Sequence, residues 1–403
     1  MAEPVNATQE SGLFPLEVFS EESLRNGAVL LHVLGVVLVT IASYLLMKHF
    51  FLPAVSVLKE WADFTEDMAG AVLVAIGLGL PAVFTLVVGA AVEGVGHLAG
   101  AQVGEIVGEG GFRHVGIVGV LGLASRSRMP LAPATVLRDV AFYVVAVAIY
   151  VLAFLNDQVE IYESLILFGI YVVYLTAMKL LQHFAKGRFD RKDDEEGPYE
   201  KEPVDIGLPQ EGGCCAKFLR VLKMPLLAPF WITLPDPANP KRRRFAVLTY
   251  LGAILWSMLL NYLLVWWCDT IGRVFGVPSV IMGLTVLAVT SSLVLCVVIL
   301  AREGRAALAV GASLGGALFQ LGVIKPLGWV VYHVTEGASV RVSSAGLVCS
   351  VSLLAVFVLA TYSVLTCFRW RVGKVVGAIA TAFYLVFVVI SVAFSYDVIK
   401  CPV

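Results

Sequence analysis

At 403 residues the chain is long enough for two soluble domains, but 59% of its residues are hydrophobic and only 15% are charged. The mean hydropathy is +0.87, and many apolar runs are near the ~20 residues that cross a bilayer as a helix, which excludes soluble domains and predicts an all-α polytopic membrane protein. The net charge of −1 excludes the basic surplus that is typical of nucleic-acid-binding proteins.

The first 26 residues are polar and acidic, and they lack the basic stretch and short apolar core of a cleavable signal peptide. We expect segment 1–26 to lie in a lumen or outside the cell. Asn6 opens the triplet Asn6-Ala7-Thr8, which is a glycosylation sequon if this end faces that side. Because such triplets also arise by chance, Asn6 is only a candidate.

Ten apolar runs follow, and they fall into two groups of five. A first five-helix repeat covers 27–185, a charged loop covers 186–244, and a second repeat covers 245–403. Because five is an odd number, the second repeat enters the membrane from the opposite side, as in inverted-repeat transporters. The sequence therefore predicts ten transmembrane helices as two inverted repeats, at about 27–50, 68–92, 104–123, 134–156, 161–184, 245–268, 275–301, 306–331, 343–367 and 375–396.

The loop at 186–244 is rich in charge, Pro and Gly in its middle, so we predict that it is partly disordered. The stretch from Pro225 to Pro237 is apolar enough to lie on the membrane surface. Palmitoylation and an unmodified pair both stay open for Cys214 and Cys215, which adjoin a membrane segment. We expect the other cysteines that fall in or beside apolar runs to be buried thiols: Cys268, Cys296, Cys349 and Cys367.

Basic residues predict the orientation, because Lys and Arg favour cytoplasmic loops. The opposite side carries mainly acids, so we predict that the loop at 186–244 is cytoplasmic and that both termini face away from the cytoplasm. This pattern fits the plasma membrane and an organelle membrane equally well. With ten spans, most basic loop residues fall on one side: Arg126, Arg128, Lys241 to Arg244, Arg302, Arg305, Arg369, Arg371 and Lys374.

Two glycine-rich apolar stretches, Glu66 to Thr85 and Gly276 to Gly304, occupy equivalent places in the two halves. Interrupted hydrophobic segments at such positions indicate a transport site near the bilayer midplane, although close helix packing explains the glycines equally well. No Asp, Glu or Asn lies between Asp67 and Glu93, or between Asp269 and Glu303. The layout is that of a cation transporter, but the cation ligands are missing.

Eight segments carry a resemblance to a known family: Phe50 to Val55, Glu66 to Ala71, Leu137 to Tyr143, Glu163 to Lys179, Pro225 to Pro237, Gly276 to Ala288, Ala301 to Gly304 and Leu308 to Leu321. On these segments, which span nearly the whole chain, it resembles the potassium-dependent sodium/calcium exchangers of the calcium/cation antiporter superfamily. The resemblance implies a ten-helix fold with two inverted repeats, in which the second, third, seventh and eighth spans surround the ions.

The chain departs from that family where its members bind cations. The family's Gly-Ser-Ser-Ala-Pro-Glu ends here at Ala82, and its Gly-Ser-x-x-Phe-Asn holds Glu109 in place of Ser and Arg113 in place of Asn. In the second repeat the acid of Gly-Thr-Ser-x-Pro-Asp is replaced by Leu295, and Gly-Ser-Asn-x-Phe-Asp ends at Gln320. We call these positions and their neighbours the vestigial ion site: Ala82, Glu109, Arg113, Ser291, Ser292, Leu295, Ala317 and Gln320.

These replacements remove what calcium requires, which is six to eight oxygens with carboxylates among them. A charge at the centre of the bilayer is costly without compensation, so we do not expect calcium to bind, and binding of sodium or potassium is in doubt. Glu109 and Arg113 are four residues apart, so on a helix they share a face and can form an internal ion pair in place of the ion. The alternative is that Arg113 snorkels to an interface and Glu109 caps a helix.

Three functions remain open. We favour a protein that keeps the exchanger fold, has lost calcium/cation antiport and acts as a structural or regulatory subunit among other membrane proteins. The alternative is an active secondary transporter with altered ion selectivity, for protons, a monovalent cation or an anion held by Arg113. The third is a conventional sodium/calcium/potassium exchanger with unexpected ligands. No motif indicates an enzyme, a resident metal or a cofactor.

Overall fold

The computed structural model describes residues 19–92, 103–154, 156–189, 214–277, 282, 286–287, 290–341 and 347–395. Within these ranges, eight helices are long and apolar enough to cross a membrane, as expected for an all-α polytopic membrane protein. Helical segments also lie at the two other predicted spans, 104–123 and 275–301, but they are not among the eight. The eight helices therefore do not confirm the predicted count of ten.

In the first half, a turn of helix at Glu21–Ser23 and a π-helical turn at Leu24–Ala28 precede the long helices. π-Helical turns also interrupt three of these long helices, at Met47–Phe51, Gly70–Val74 and Phe112–Gly116. The helices are α1 (Val29–Ala62), α2 (Glu66–Ala69 and Ala75–Val92), α3 (Val103–Gly111 and Ile117–Ala124), α4 (Pro133–Phe154) and α5 (Ile161–Phe189).

In the second half, a short 3₁₀ turn at Arg243–Phe245 precedes α7, and a π-helical turn at Gln320–Ile324 interrupts α9. The helices are α6 (Cys214–Thr233), α7 (Ala246–Phe275), α8 (Ser292–Glu303), α9 (Ala306–Phe319 and Lys325–Glu336), α10 (Leu347–Cys367) and α11 (Lys374–Ser395).

The first membrane helix is longer than the sequence predicted. We expected a span at 27–50, but α1 continues to Ala62. Pro53 follows the π-helical turn and lies in the first turn of the continuing helix, where a missing N–H is tolerated. Pro53 therefore does not end the helix.

Part of the charged loop is helical, so disorder does not extend through all of 186–244. Phe230 in α6 is buried, and its ring meets the ring of Trp256 in α7 edge-on, with centroids 5.0 Å apart. Ile232, on another face of the same helix, is 75% exposed. The helix thus docks on the bundle through one face, and its contact with the membrane surface stays a prediction.

The cysteines only partly follow the expectation of buried thiols. Cys268 and Cys296 are buried thiols, but Cys367 is exposed and Cys349 is disulfide-bonded. Cys349 and Cys367 lie in the first and last turns of α10, so an apolar sequence around them did not place them in the interior. Two modifications stay predictions: palmitoylation of Cys214 and Cys215, and glycosylation of Asn6, which lies outside the described residues.

Two antiparallel pairs of short strands join the two halves. β1 (Met129–Pro130) pairs with β4 (Arg371–Val372), and β2 (Gln158–Val159) pairs with β3 (Val340–Arg341). β1 and β2 flank α4, and β3 and β4 flank α10, so one pair lies at each end of the bundle. Exchanging the halves while reversing their direction maps one pair onto the other. This is the symmetry expected of inverted repeats.

We call the end of the bundle that carries β1 and β4 the loop end, and the end that carries β2 and β3 the far end. Arg243, at the close of the charged loop, pairs with Glu60 near the end of α1. Asp67 at the start of α2 pairs with Arg138, which follows β1 in the first turns of α4. The charged loop therefore closes at the loop end.

Helix α9 is the centre of the bundle. Nearly every residue from Ala306 to Phe319 is buried. Gly311 faces the backbone oxygen of Asp67 in α2, and a Cβ at position 311 would overlap that oxygen. Because small residues allow helices to approach closely in a membrane, α2 and α9 meet backbone to backbone.

Candidate ion site

The vestigial ion site is distributed over four helices that meet at the centre of the bundle. Helices α2, α3 and α8 all pack against α9. The segments in which the sequence analysis placed the ion site are therefore packed around one central helix. The site positions are Ala82 on α2, Glu109 and Arg113 on α3, Ser291 and Ser292 at the start of α8, Leu295 on α8, and Ala317 and Gln320 on α9.

The Arg113 side chain lies between α3 and α9. A Cβ at position 316 would overlap the Arg113 Nη1 atom, so glycine at 316 leaves the space that the guanidinium occupies. Eleven residues separate Arg113 from Ala124 at the helix end, a rise of about 16 Å, which is about half the ~30 Å hydrocarbon core. A fixed positive charge therefore lies near the middle of the bundle.

Glu109 neutralises that charge. The Arg113 Nε atom donates a hydrogen bond to Glu109 Oε1 over 2.7 Å, one helical turn away along α3. The side chains are only 13% and 24% exposed, so the pair is largely shielded from solvent. The arrangement supplies one positive and one negative charge and has no surplus negative charge to offer a cation.

Backbone carbonyls near this site accept hydrogen bonds from neighbouring helices. π-Helical turns disturb the regular backbone ladder and are frequent at functional sites, because they redirect carbonyls. In this protein hydroxyl groups engage one carbonyl in each of three such turns: Tyr250 to Leu73 O (2.7 Å), Ser313 to Arg113 O (2.7 Å) and Tyr150 to Leu321 O (2.9 Å). The tyrosine contacts join residues 177 and 171 positions apart, so no local sequence signal identifies them.

Helix α8 begins at Ser292, within the predicted span 275–301. Ser291 has extended backbone angles (φ −59°, ψ 143°), and its Oγ accepts a hydrogen bond from the Val294 N–H over 3.4 Å, which caps the helix. The Ser292 hydroxyl lies 3.5 Å from that of Ser257 in α7. Leu295 in the next turn is half-buried. This part of the site therefore keeps a helix start and hydroxyl groups but no acid.

His114, next to Arg113, belongs to a buried aromatic cluster. Its Nδ1 lies 3.0 Å from the Tyr362 hydroxyl in α10, and its ring centroid is 4.2 Å from that of Tyr143 in α4. No local sequence pattern predicts these tyrosine partners, which come from distant helices. His114 is therefore held by packing and one hydrogen bond, away from the surface.

A second charged network lies at the loop end, and sequence reasoning did not find its basic members. Arg305 donates from Nη2 to Glu66 Oε1 (3.0 Å) and from Nε to Glu66 Oε2 (3.2 Å), and Lys59 also pairs with Glu66. Glu66 and Asp67 lie in the first turn of α2, where acids complement the positive end of the helix dipole. The bidentate pair also ties the first half of the chain to the second.

The Asp67 carboxylate lies in the same region and pairs with Arg138 (3.1 Å), which also contacts Asp139 (2.8 Å). Both acids at the start of α2 therefore pair with an arginine: Asp67 with Arg138 of α4, and Glu66 with Arg305 in the turn before α9. Among the described residues, no group of three or more His, Cys, Asp or Glu side chains is arranged to hold a metal ion.

A family model for sodium/calcium exchanger proteins matches residues 32–180 and 245–393, which is most of both halves. The chain belongs to the sodium/calcium exchanger family. Members of this family are membrane proteins, in agreement with the apolar helices, and the chain is therefore a multi-pass integral membrane protein. The two matched ranges fall within the two predicted repeats, 27–185 and 245–403, and the gap between them contains the charged loop.

Curated relatives within the family align with nearly all of the chain. It is 25% identical to the sodium/potassium/calcium exchanger Nckx30C of Drosophila melanogaster, with 98% of the chain and 65% of the relative covered. It is 27% identical to sodium/potassium/calcium exchanger 2 of Gallus gallus, with 100% and 83% covered. The chain thus spans about two thirds of the fly protein's length and more of the chicken protein's.

Solved structures of the sodium-calcium exchanger NCX_Mj share the fold. One of them superimposes with a TM-score of 0.58 at 14% sequence identity, covering 90% of this chain and 99% of the other. At this identity the likeness establishes the helical exchanger fold alone. The family match and the fold match agree with the resemblance that the sequence segments indicated.

Proposed function

We propose that this member of the sodium/calcium exchanger family has lost calcium/cation antiport and uses the fold as a structural or regulatory subunit of a membrane complex. The observation that carries the proposal is the position of Arg113, whose guanidinium lies against Gly316 at the meeting point of α3 and α9. In the family, by the resemblance described above, these spans surround the ions.

Electrostatics makes this arrangement unfavourable for a cation. At 4 Å and an effective dielectric constant of 20, two like unit charges repel by roughly 4 kcal/mol, and a divalent ion meets about twice that. Glu109 balances Arg113, so the pair gives no net attraction to offset the loss of ion hydration. Ala82, Leu295 and Ala317 contribute no oxygen atoms from their side chains. A site of this composition does not supply the carboxylates that calcium prefers.

The engaged carbonyls support the same proposal. Ser313 donates to the Arg113 oxygen, and tyrosines donate to oxygens in the π-helical turns of α2 and α9. A cation would compete with these hydrogen bonds for the lone pairs of the same oxygens. These three carbonyl oxygens therefore already have donors inside the bundle, where no water is available to replace them.

The relatives named as exchangers leave transport open as a second candidate. The observation that favours an active secondary transporter of altered selectivity is the start of α8 at Ser291, because helices that begin inside the membrane are typical of transport sites. In that case, the Ser291, Ser292 and Ser257 hydroxyls would line the path of a small monovalent ion.

The proposed orientation places the loop end in the cytoplasm and both termini on the other side. It follows from the basic residues that are concentrated at the loop end, by the same preference of Lys and Arg for cytoplasmic loops. The subunit role requires partner proteins in the membrane, for which the exposed outer helices provide the available surface.

Calcium uptake into proteoliposomes tests the proposal. We expect no sodium- and potassium-driven ⁴⁵Ca²⁺ uptake by the unmodified protein, and partial recovery in the triple variant Ala82→Glu, Leu295→Asp, Arg113→Asn, in which site acids return and the fixed cation is removed. Uptake by the unmodified protein would refute loss of antiport. Sodium, potassium or proton flux through the same vesicles, abolished by Ser291→Ala with Ser292→Ala, would support the second candidate instead.

A further inference from the structure

Arg305 is a buried arginine in the short turn between α8 and α9. Gly304, with a φ of +83°, caps the end of α8, and Arg305 directly precedes α9. The Arg305 N–H donates to Leu300 O in α8 over 2.9 Å, and the Arg305 carbonyl oxygen accepts from the Ala309 N–H in α9 over 3.2 Å. Its side chain is 7% exposed. The backbone of Arg305 is therefore bound to two helices of the second half, and its guanidinium is buried.

The same guanidinium contacts two helices of the first half. Besides its two hydrogen bonds to Glu66 on α2, its Nη1 donates to Ser56 Oγ on α1 over 3.1 Å. Ser56 is buried and donates its own proton to Leu52 O over 3.0 Å, so its oxygen can accept from Arg305. Lys59, also on α1, pairs with the same Glu66 carboxylate. We call these four side chains the loop-end clamp: Ser56, Lys59, Glu66 and Arg305.

The loop-end clamp crosses the boundary between the two halves of the chain. Its members on α1 and α2 precede the charged loop, whereas Arg305 follows it. In inverted-repeat transporters, access to the midplane changes when one bundle of helices rocks against the other. Such a movement at the loop end would have to break the bidentate Glu66–Arg305 pair and the Ser56 contact together, and charge-assisted pairs of this kind are among the strong hydrogen bonds.

We propose that the loop-end clamp is a conformational lock. It keeps α1 and α2 against the turn between α8 and α9, and it prevents these helices from separating at the loop end. The lock does not rest on the loss of antiport, because its residues belong to the network at the loop end and not to the vestigial ion site. A transporter of altered selectivity would have to release the same lock in every cycle.

Two native thiols report on opening at the two ends of the bundle. Cys296 lies seven residues before Glu303 at the loop end of α8, and Cys268 lies seven residues before Phe275 at the far end of α7, a rise of about 10 Å in each case. Both thiols are fully buried. Helix α8 packs against α1 and α9, so release of the clamp would loosen the surroundings of Cys296. The two thiols therefore match in depth and burial but lie at opposite ends.

Thiol labelling of the full chain in lipid nanodiscs tests the lock. N-Ethylmaleimide is added to the unmodified protein and to Arg305→Gln, and the reaction of each cysteine is followed over time by peptide mass spectrometry. We expect Cys296 to react about ten-fold faster or more in Arg305→Gln, because the charged contacts that join the halves are lost, and Cys268 to stay within about two-fold. An unchanged rate for Cys296 would overturn the proposal. Equal acceleration of the two thiols would show general destabilisation and would overturn it as well.

Arg302→Gln is the matched control. It removes the same charge from the last turn of α8, but Arg302 is exposed and lies outside the clamp. We expect both thiols to react within about two-fold of their rates in the unmodified protein. Acceleration of Cys296 as large as that in Arg305→Gln would refute the clamp, since the loss of any positive charge at this end would then suffice.

Arg305→Lys repeats the test with the charge kept. Lysine lacks the planar fork that engages both Glu66 oxygens, so we expect Cys296 to react faster than in the unmodified protein but more slowly than in Arg305→Gln. A rate equal to that of the unmodified protein would contradict the bidentate clamp. A single symmetric peak in gel filtration confirms that each variant is folded. Calcium uptake does not enter this test, so the lock and the loss of antiport can fail separately.

Discussion

At the scale of single residues, Arg113 accounts for the main difference between this chain and the family pattern. Its guanidinium occupies space that glycine at 316 leaves open, and its charge is matched within the same helix by Glu109. Under the proposed function, this fixed ion pair takes the place of a mobile ion. The account predicts that the two residues of the pair depend on each other.

A double-mutant cycle tests this dependence. Glu109→Gln leaves the Arg113 charge unpaired, and we expect a loss of about 2–3 kcal/mol in the free energy of unfolding. This is below the ~3–5 kcal/mol of a fully buried pair because the two side chains remain 13% and 24% exposed. Adding Arg113→Gln is expected to restore most of the loss, as measured by thermal melting in detergent. Additive losses would contradict a coupled pair.

At the scale of helices, α2 and α9 meet backbone to backbone. Gly311 meets the Asp67 backbone, and Gly70 meets the backbone around Leu308, so no side chain separates the two helices there. Above this contact, the pair Glu66–Arg305 ties the same helices at the loop end. Backbone packing and charge therefore both hold α2 to α9 and to the turn before it near the loop end.

Adding a methyl group at this contact should separate the helices. We expect Gly311→Ala to destabilise the protein by about 1–3 kcal/mol, because the new Cβ overlaps backbone atoms that have no room to move. Gly169→Ala on α5 is the control, since a Cβ there meets nothing within 4 Å and alanine favours helix by up to ~1 kcal/mol. A melting temperature for Gly311→Ala at or above that of the control would refute the close approach.

At the scale of the whole molecule, the inverted repeats place basic loops at one end. Cys367 is an exposed thiol at the loop end, and Ala338 is exposed at the far end. In a single-cysteine version that keeps Cys367, we expect a membrane-impermeant maleimide to label intact cells only after permeabilisation. If the protein resides in an organelle membrane, the plasma membrane is selectively permeabilised first, so that the maleimide reaches the cytoplasmic side of the organelle.

The reciprocal variant completes this topology test. With Ala338→Cys as the single cysteine, labelling should occur from the opposite side of the membrane. Labelling of both positions from the same side would contradict the inverted arrangement, and an exchange of the two sides would reverse the proposed orientation.

Much of this fold could be predicted from the sequence, because each segment that resembles the family is a short continuous stretch of the chain. The i, i+4 spacing of Glu109 and Arg113 also sufficed to suggest their pairing. Contacts between distant parts were not accessible: Arg305 lies 239 residues from Glu66, and only the folded bundle brings them together. The disulfide bond of Cys349 was missed for a related reason, since an apolar neighbourhood does not reveal that a residue lies at a helix end.

The central claim is that an internal ion pair has replaced the bound cation, and cation-dependent melting of the purified protein tests it most directly. A site filled at 100 times its Kd stabilises a protein by about 2.7 kcal/mol. At constant ionic strength, we expect the melting temperature in calcium, sodium or potassium to equal that in choline. The control is sodium/potassium/calcium exchanger 2 of Gallus gallus, measured in parallel, which we expect its ions to stabilise. A concentration-dependent rise with one of these cations in the unmodified protein would contradict the account.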